Sequence, residues 1–248
     1  MTLNRRETLV LAAAASAASL SGIGVASASP EGTMYDLAKL MAPAGGLADH
    51  VLGDEAATVT VIEYASPTCP HCAAFSNDVY PEFKTQYIDS GLVKFVLRPF
   101  VRNVLDAVVF LVAEAAGPEA YHNVVETYFK TQATWSTSQT PRDALLAVAI
   151  ELGFTEEIFE AALTNQDLFT AMDAAREQAL NEFGLEGTPT FYVNGKQLTG
   201  DKTLVQLAAE IDPLLPAGTA PAADPATPAD QPATDPAAPA EETSTPVQ

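Results

Sequence analysis

The stretch EYASPTCPHCAAF, residues 63–75, contains both cysteines of the 248-residue chain, Cys69 and Cys72. The residues before it, from Val59, are β-branched or apolar without a helical period, which is typical of a buried strand. The residues after it repeat apolar side chains at helical spacing. The pair therefore lies where a strand runs into a helix, and it is open to three explanations: a redox centre, half of a metal site or a structural staple.

The elements around the cysteines indicate a β-α-β unit. A strand is predicted over residues 59–64 and a second strand over 92–100, with a helix between them. Pro81 falls inside that helix and is expected to kink it, because proline lacks an amide donor. Gly91 is a plausible end signal for the helix.

The rest of the chain reads as a helical block followed by a return to β structure. Residues 103–183 carry amphipathic helical patterns. The segment GTPTFYVNGKQLTG, residues 187–200, predicts two short strands joined by a turn at Asn194-Gly195. A closing helix is expected over residues 203–215. The fold class is therefore α/β, with a helical insertion between a β-α-β half and a C-terminal hairpin and helix.

The position of Cys69 favours thiol chemistry. A helix N-terminus presents unpaired N–H groups that stabilise a thiolate, and Pro70 suits the first helical position. His71 offers a positive or hydrogen-bonding group near the sulfur. Cys72 lies one turn along the same helix face and is expected to be the more buried thiol, which resolves a mixed disulfide rather than attacks.

The alternatives for the cysteine pair are weaker. A bridge that closes two intervening residues removes little chain entropy, so it would stabilise the fold very little. A closed zinc site needs four ligands, and the sequence offers only the two cysteines with His50, His71 and His122. No metal site is therefore predicted. A non-catalytic copper-binding module that uses Cys69 and Cys72 remains an alternative function.

Besides an acidic thiol and a resolving thiol, a disulfide exchanger needs a surface that holds an extended peptide. The turn at Thr188-Pro189 is expected to supply that surface. A proline before a strand, with small polar neighbours, suits a tight turn that presents an unpaired strand edge. The X-Pro turn alone is a weak signal, and its pairing with an upstream CxxC makes it a strong one.

These motifs resemble the DsbA-like family of thiol:disulfide oxidoreductases, which have a thioredoxin fold. The resemblance covers about residues 55–212. It rests on EYASPTCPHCAAF, on the long helical insertion and on GTPTFYVNG. It implies that Pro189 is cis and that the backbone of Thr188 binds the substrate peptide. It also implies that Glu63 is a buried acid that assists proton transfer, whereas from the residues alone Glu63 could equally face solvent.

One position departs from the family pattern. The classical oxidases carry an apolar residue before the cis-proline, where this chain has Thr188. Threonine at that position also resembles the disulfide isomerases, so an isomerase or reductase remains an alternative to an oxidase.

The two ends of the chain are expected to lie outside the fold. Residues 1–28 resemble a secretory signal peptide, with Arg5 and Arg6 before an apolar run, by the twin-arginine or the general route. Residues 29–53 form an N-terminal extension to a thioredoxin-like domain over 54–215, with its insertion at about 103–183. Residues 216–248 are rich in Pro and Ala, lack aromatic and basic residues, and predict a disordered acidic tail.

Composition and resemblance together limit the function. A net charge of −20 opposes binding to nucleic acid. The sequence predicts a periplasmic oxidase that donates a Cys69–Cys72 disulfide to reduced secreted proteins and needs no other cofactor. The family implies a membrane-bound partner that reoxidises it. Since family isomerases resemble dimers with a separate dimerisation domain, for which the extension is too short, a monomer is expected.

Other notable residues have ordinary structural interpretations. Lys94 and Arg98, on the second strand, are expected to balance an acidic surface. Trp135 and the aromatics Tyr121, Tyr128 and Phe129 are expected in the core of the insertion, with a substrate groove as the alternative.

Overall fold

The computed structural model describes residues 31–221, and the predicted signal peptide and most of the predicted tail lie outside these residues. The strands are β1 (Val51–Leu52), β2 (Val59–Ala65), β3 (Val93–Pro99), β4 (Thr190–Val193) and β5 (Lys196–Thr199). The helices are α1 (Leu37–Leu40), α2 (Pro70–Ala74), α3 (Tyr80–Phe83), α4 (Val104–Ala115), α5 (Tyr121–Lys130), α6 (Gln132–Trp135), α7 (Pro141–Glu151), α8 (Glu156–Leu163), α9 (Gln166–Glu182) and α10 (Leu204–Ile211).

The five strands form one sheet in the order β1-β3-β2-β4-β5. β2 pairs in parallel with β3, and the other neighbours are antiparallel. All seven residues of β2 are buried, as expected for a central strand covered on both faces. The predicted α/β fold, with its helical block between the β-α-β half and the closing hairpin, is confirmed.

The helix after the cysteines differs in detail from the prediction. It continues through π-helical turns at Phe75–Val79 and Lys84–Ile88, which flank Pro81 in α3. A π turn shifts the hydrogen-bond pattern to i→i+5, and this accommodates the missing amide donor of proline. The helix packs its aromatic face against β3, where Phe83 meets Phe95 edge to face.

The hairpin is as the sequence predicts. Asn194 and Gly195 have φ values of 45° and 92°, the left-handed conformation that a tight two-residue turn requires. The Asn194 side chain also accepts a hydrogen bond of 2.7 Å from the backbone amide of Thr60 on β2. The hairpin is thereby attached to the strand that leads to the cysteines.

The helical block is built around buried aromatic side chains. Tyr121, Tyr128, Phe129 and Trp135 are each at most 1% exposed, which places them in the core rather than in a groove. The indole of Trp135 donates to the carbonyl oxygen of Tyr128 at 2.8 Å. No helix within residues 31–221 has the length and apolar character needed to cross a membrane.

The prediction for Arg98 is wrong. Its side chain is fully buried, and its guanidinium pairs with Asp49, with Nε 2.9 Å from Oδ1. It also donates to the carbonyl oxygen of Leu40 and to the hydroxyl of Tyr64. Arg98 therefore fastens the N-terminal extension to the sheet instead of balancing surface charge. β1, which lies within that extension, pairs with β3.

Candidate active site

Cys69 and Cys72 lie at the start of α2, directly after the loop that follows β2. Cys69 is the N-cap residue, and Pro70 is the first helical residue. Both cysteines are free thiols, and Cys69 keeps 3% exposure against 0% for Cys72. The less buried thiol is therefore the one at the helix start, where a thiolate is best stabilised.

The two thiols have opposite acidities. The pKa of Cys69 is lowered from 9.0 to about 5, chiefly by the hydrogen bond with Cys72 and, less strongly, by one with Thr188, against the effect of burial. The backbone amide of Cys72 and the charge of Arg102 act in the same direction. Burial raises the pKa of Cys72 well above its ordinary value. At neutral pH one member of the pair is a thiolate nucleophile and the other is a thiol that must lose a proton before it attacks.

His71 lies at the rim of the site. Its side chain is exposed, and its Nδ1 lies 2.7 Å from the Oδ2 of Asp201, in the loop after β5. The charged side chain that lowers the pKa of Cys69 is that of Arg102. His71 therefore connects the cysteine helix to the C-terminal segment.

A buried carboxylate organises the loop before Cys69. Asp106 of α4 is fully buried, and its oxygens accept hydrogen bonds from the Ser66 hydroxyl and from the backbone amides of Thr68 and Arg102, at 2.7 to 2.9 Å. The Arg102 guanidinium donates to the Ser66 and Thr68 hydroxyls at 2.9 and 3.2 Å. This network holds a positive charge beside the loop that carries Cys69.

Glu63 lies on β2, beneath the cysteine pair, and is 2% exposed. Burial, with a smaller effect from the negative charge of Cys69, raises its pKa from 4.5 to about 8. Its Oε1 has no hydrogen-bond partner among the described residues. The negative charge of Glu63 in turn contributes to the raised pKa of Cys72. A carboxyl with a pKa near neutrality can both accept and return a proton.

The Thr188–Pro189 segment completes the site. Its peptide bond is cis, and the Sγ of Cys69 lies 3.1 Å from the carbonyl oxygen of Thr188. Gly200 donates to the Pro189 carbonyl at 2.9 Å, which ties the segment to the end of β5. The structure thus brings Glu63, the cysteines and the proline turn together, with His71 at the rim.

Sequence reasoning missed three residues of this site. Asp106 belongs to the region predicted only as helical, and Arg102 lies just before it, between the predicted strand and the helical block. Gln132 of α6 donates to the carbonyl oxygens of Pro67 and Cys69, at 2.6 and 2.9 Å. Asn103 before an apolar run is a recognisable N-cap signal for α4, and it caps the helix through Leu105 and Asp106. Nothing in the sequence, however, indicates that α4 begins beside the cysteines.

Within residues 31–221, no group of three or more His, Cys, Asp or Glu side chains is placed to hold a metal ion. The described groups are suited to thiol–disulfide exchange, because an acidic thiol, a second buried thiol and a buried carboxyl of raised pKa lie together.

The sheet order defines a thioredoxin fold. The two thiols lie at a helix start and face a cis-proline turn, so they form a dithiol centre. The family described as Thioredoxin matches residues 47–213. The chain belongs to the DsbA-like family of thioredoxin-fold proteins.

Curated relatives and solved structures carry related names. A Rickettsia felis protein named "Putative protein-disulfide oxidoreductase" is 30% identical over 67% of this chain, and the match spans 60% of that relative's length. "Disulfide bond formation protein D" of Bacillus subtilis is 29% identical, over 59% of this chain and 68% of that protein. The crystal structure of α-DsbA1 from Wolbachia pipientis superposes with a TM-score of 0.64 at 25% identity, covering 67% of this chain and 90% of that one.

Proposed function

We propose that the chain is an exported thiol:disulfide oxidoreductase that acts as an oxidase of secreted proteins. The observation that carries the proposal is the contrast between Cys69, with a pKa of about 5, and the buried, weakly acidic Cys72. Stabilising one thiolate favours the dithiol form over the disulfide. The disulfide form is then a ready acceptor of two electrons.

The proposed reaction uses Cys69, Cys72 and Glu63. A substrate thiolate attacks the Sγ of Cys69 in the oxidised protein, the Cys69–Cys72 bond breaks, and a mixed disulfide forms. Cys72 leaves as a thiolate and takes a proton from Glu63. A second substrate thiolate then attacks the substrate sulfur and releases Cys69 as a stabilised thiolate. The substrate gains a disulfide, and the protein keeps the two electrons as a dithiol.

The turn at Thr188 offers a place for the substrate backbone. Its carbonyl oxygen lies beside the reacting sulfur and can accept from a peptide amide. The hydroxyl of Thr188 is buried without a hydrogen-bond partner among residues 31–221. A disulfide isomerase is the second candidate function. The polar side chain of Thr188 favours it, because that side chain alters how firmly a bound peptide is held.

The proposed cellular setting rests on the family and on the signal-peptide pattern of residues 1–28. Reduced secreted proteins are the proposed substrates, and a membrane-bound partner that accepts the electrons is the proposed recycling system. The proposed location is the periplasm, and the proposed state is a monomer. No cofactor beyond the cysteine pair enters the scheme.

Equilibration against glutathione buffers tests the direction of electron flow. The full mature chain is quenched by alkylation at each ratio of reduced to oxidised glutathione, and the two redox forms are separated by mass. An oxidase is expected to have a potential well above the roughly −200 mV of glutaredoxins. A potential near the roughly −270 mV of thioredoxin would contradict the proposal. A Cys69→Ser variant is the control, because it has no pair to equilibrate.

A further inference from the structure

A small cavity adjoins Glu63, and neither cysteine is among its lining residues. It has a volume of about 10 Å³, and it is lined by Glu63, Ser76, Tyr80, Leu97, His122 and Glu126. These residues come from β2, the cysteine helix, β3 and α5. The cavity thus joins the acid beneath the cysteines to the helical insertion.

Two polar atoms at the cavity make no direct hydrogen bond of good geometry among the described residues, although the Tyr80 hydroxyl lies close enough to Glu126 to affect its pKa. They are the Oε1 of Glu63 and the hydroxyl of Tyr80, on side chains of residues only 2% and 5% exposed. Buried polar atoms are normally paired with protein groups or with ordered water. A polar cavity of this size is close to what one water molecule needs.

Glu126 connects the cavity with solvent. It is half-buried on α5, and it is the second carboxyl of the cavity lining. Burial raises its pKa, while the positive charge of nearby Lys84 and a contact with Tyr80 oppose that effect. A carboxyl poised in this way can take a proton from inside and pass it to water outside.

The remaining titratable groups around Glu63 are unsuited to this transfer. Burial lowers the pKa of His122 to about 4, so its ring is neutral at physiological pH, and its Nε2 donates to the carbonyl oxygen of His50 at 2.8 Å. Cys69 and Cys72, which do not line the cavity, are the reacting groups themselves. Burial raises the pKa of the Tyr80 phenol, so it can relay a proton through its hydroxyl but does not ionise.

Such a path serves the proposed function. A carboxyl with a pKa of about 8 is mostly protonated at neutral pH, so Glu63 must lose its own proton before it accepts that of Cys72. During that step the substrate occupies the surface above Cys69. A path that avoids the cysteines lets the buried acid exchange protons while the substrate is bound.

We propose that a water molecule in this cavity links Glu63, through the Tyr80 hydroxyl, to Glu126, which is the outer proton acceptor of the exchange reaction. This inference rests on the proposed function and deepens it. In the oxidation of the dithiol by glutathione disulfide, the Cys69 thiolate first forms a mixed disulfide and releases one glutathione thiolate. Cys72 then gives its proton to Glu63 and attacks Cys69, so that the Cys69–Cys72 bond forms, the Cys69–glutathione bond breaks and the second glutathione leaves as a thiolate. The proton passes from Glu63 to the cavity water and out by Glu126. Tyr80 and Glu126 act as positioning residues, because they touch neither sulfur.

The test measures closure of the Cys69–glutathione mixed disulfide in the full mature chain as a function of pH, by rapid mixing in H₂O and D₂O. Glu126→Gln and Tyr80→Phe are each expected to slow closure by roughly tenfold, less than the roughly 10²–10⁴-fold of an acid or base that acts directly on the reacting group. Both should increase the solvent isotope effect. Glu126→Asp should recover most of the rate. The pKa of Cys69, followed by alkylation, should stay unchanged.

The controls separate this inference from the proposed function. Glu119→Gln removes an exposed carboxyl just before α5 and should close at the wild-type rate. If Glu63→Gln slows closure while Glu126→Gln and Tyr80→Phe close like wild type, the relay is overturned and the proposed function stands. If the wild-type chain does not exchange disulfides with glutathione at all, the proposed function fails, and the relay fails with it.

Discussion

The Sγ of Cys69 lies 3.1 Å from the carbonyl oxygen of Thr188, although 119 positions separate the two residues in the chain. The contact joins the β-α-β half of the fold to its closing hairpin at the reacting sulfur. As a thiol, Cys69 donates to this oxygen. When Cys69 ionises, the carbonyl oxygen is free to accept from the backbone of an incoming peptide. The same pair of residues thus couples the acidity of the sulfur to the place where a substrate would bind.

Replacement of Arg102 tests the electrostatic support of Cys69. Arg102→Met keeps much of the side-chain volume and removes the charge beside the loop. The midpoint of Cys69 ionisation should rise by roughly half a pH unit, the size typical of a partly exposed charge pair. The shift should shrink as salt is added. Absorbance of the thiolate, recorded against pH at two salt concentrations, measures both effects.

Arg142→Met is the matched control for that substitution, because Arg142 is an exposed arginine that pairs with Asp143, Glu156 and Glu160 in the helical block. It should leave the Cys69 midpoint in place. Equal shifts in the two variants would show that net charge, rather than the position of Arg102, sets the acidity.

Glu63→Gln should change how stability depends on pH. A folded-state pKa of about 8, raised from 4.5, means that the folded form of wild type loses stability as the pH rises through this window. Glu63→Gln has no carboxyl to titrate at this position. The free energy of unfolding of the variant minus that of wild type should therefore grow by roughly 1.4 kcal/mol per pH unit between those two pKa values. Urea unfolding of the reduced proteins at several pH values measures the difference.

The comparison with wild type is needed because ionisation of Cys69 makes the free energy of unfolding of the reduced protein rise with pH, which is opposite to the effect of Glu63. Its pKa falls from 9.0 to about 5, so its contribution to stability appears as the pH rises through that range. Taking the difference between the two proteins leaves the effect of Glu63. A difference that stays flat from pH 4.5 to 8 would mean that Glu63 is not a buried acid of raised pKa.

The ion pair of Arg98 and Asp49 should be essential for stability and irrelevant to the chemistry. Asp49→Asn leaves the fully buried guanidinium without its anion, and removal of one partner of a buried pair costs about 3–5 kcal/mol. The free energy of unfolding should fall by that order, while the ionisation midpoint of Cys69 stays the same. Lys84 and Asp89 form an exposed pair, so Asp89→Asn should cost far less and serves as the control.

The sequence was sufficient for the architecture and for the position of the two cysteines at a helix start. The β-branched run before Cys69, the helical spacing after Cys72 and the Asn194-Gly195 turn are local signals, and each corresponds to an element of the structure. The helix-start position of Cys69 could also be predicted, since Pro70 has a strong preference for the first helical position.

The supporting residues could not be predicted in the same way, because they depend on long-range contacts. Asp106 reaches Thr68 across 38 positions, and Arg98 reaches Asp49 across 49. From the sequence alone, an arginine on a strand is predicted to lie at the surface, because its buried partner is not known. His71 likewise appears next to the sulfur in sequence, yet its ring bonds to Asp201.

The pKa of Cys69 in the reduced protein tests the central claim most directly. The rate of alkylation against pH, measured in the full mature chain with Cys72→Ala as a check on which thiol reacts, gives the midpoint. The structure predicts a midpoint near pH 5 for the intact pair, and a higher one in Cys72→Ala, which loses the largest stabilising hydrogen bond. A midpoint near 9.0 in the intact pair, the ordinary value of a cysteine thiol, would contradict the account.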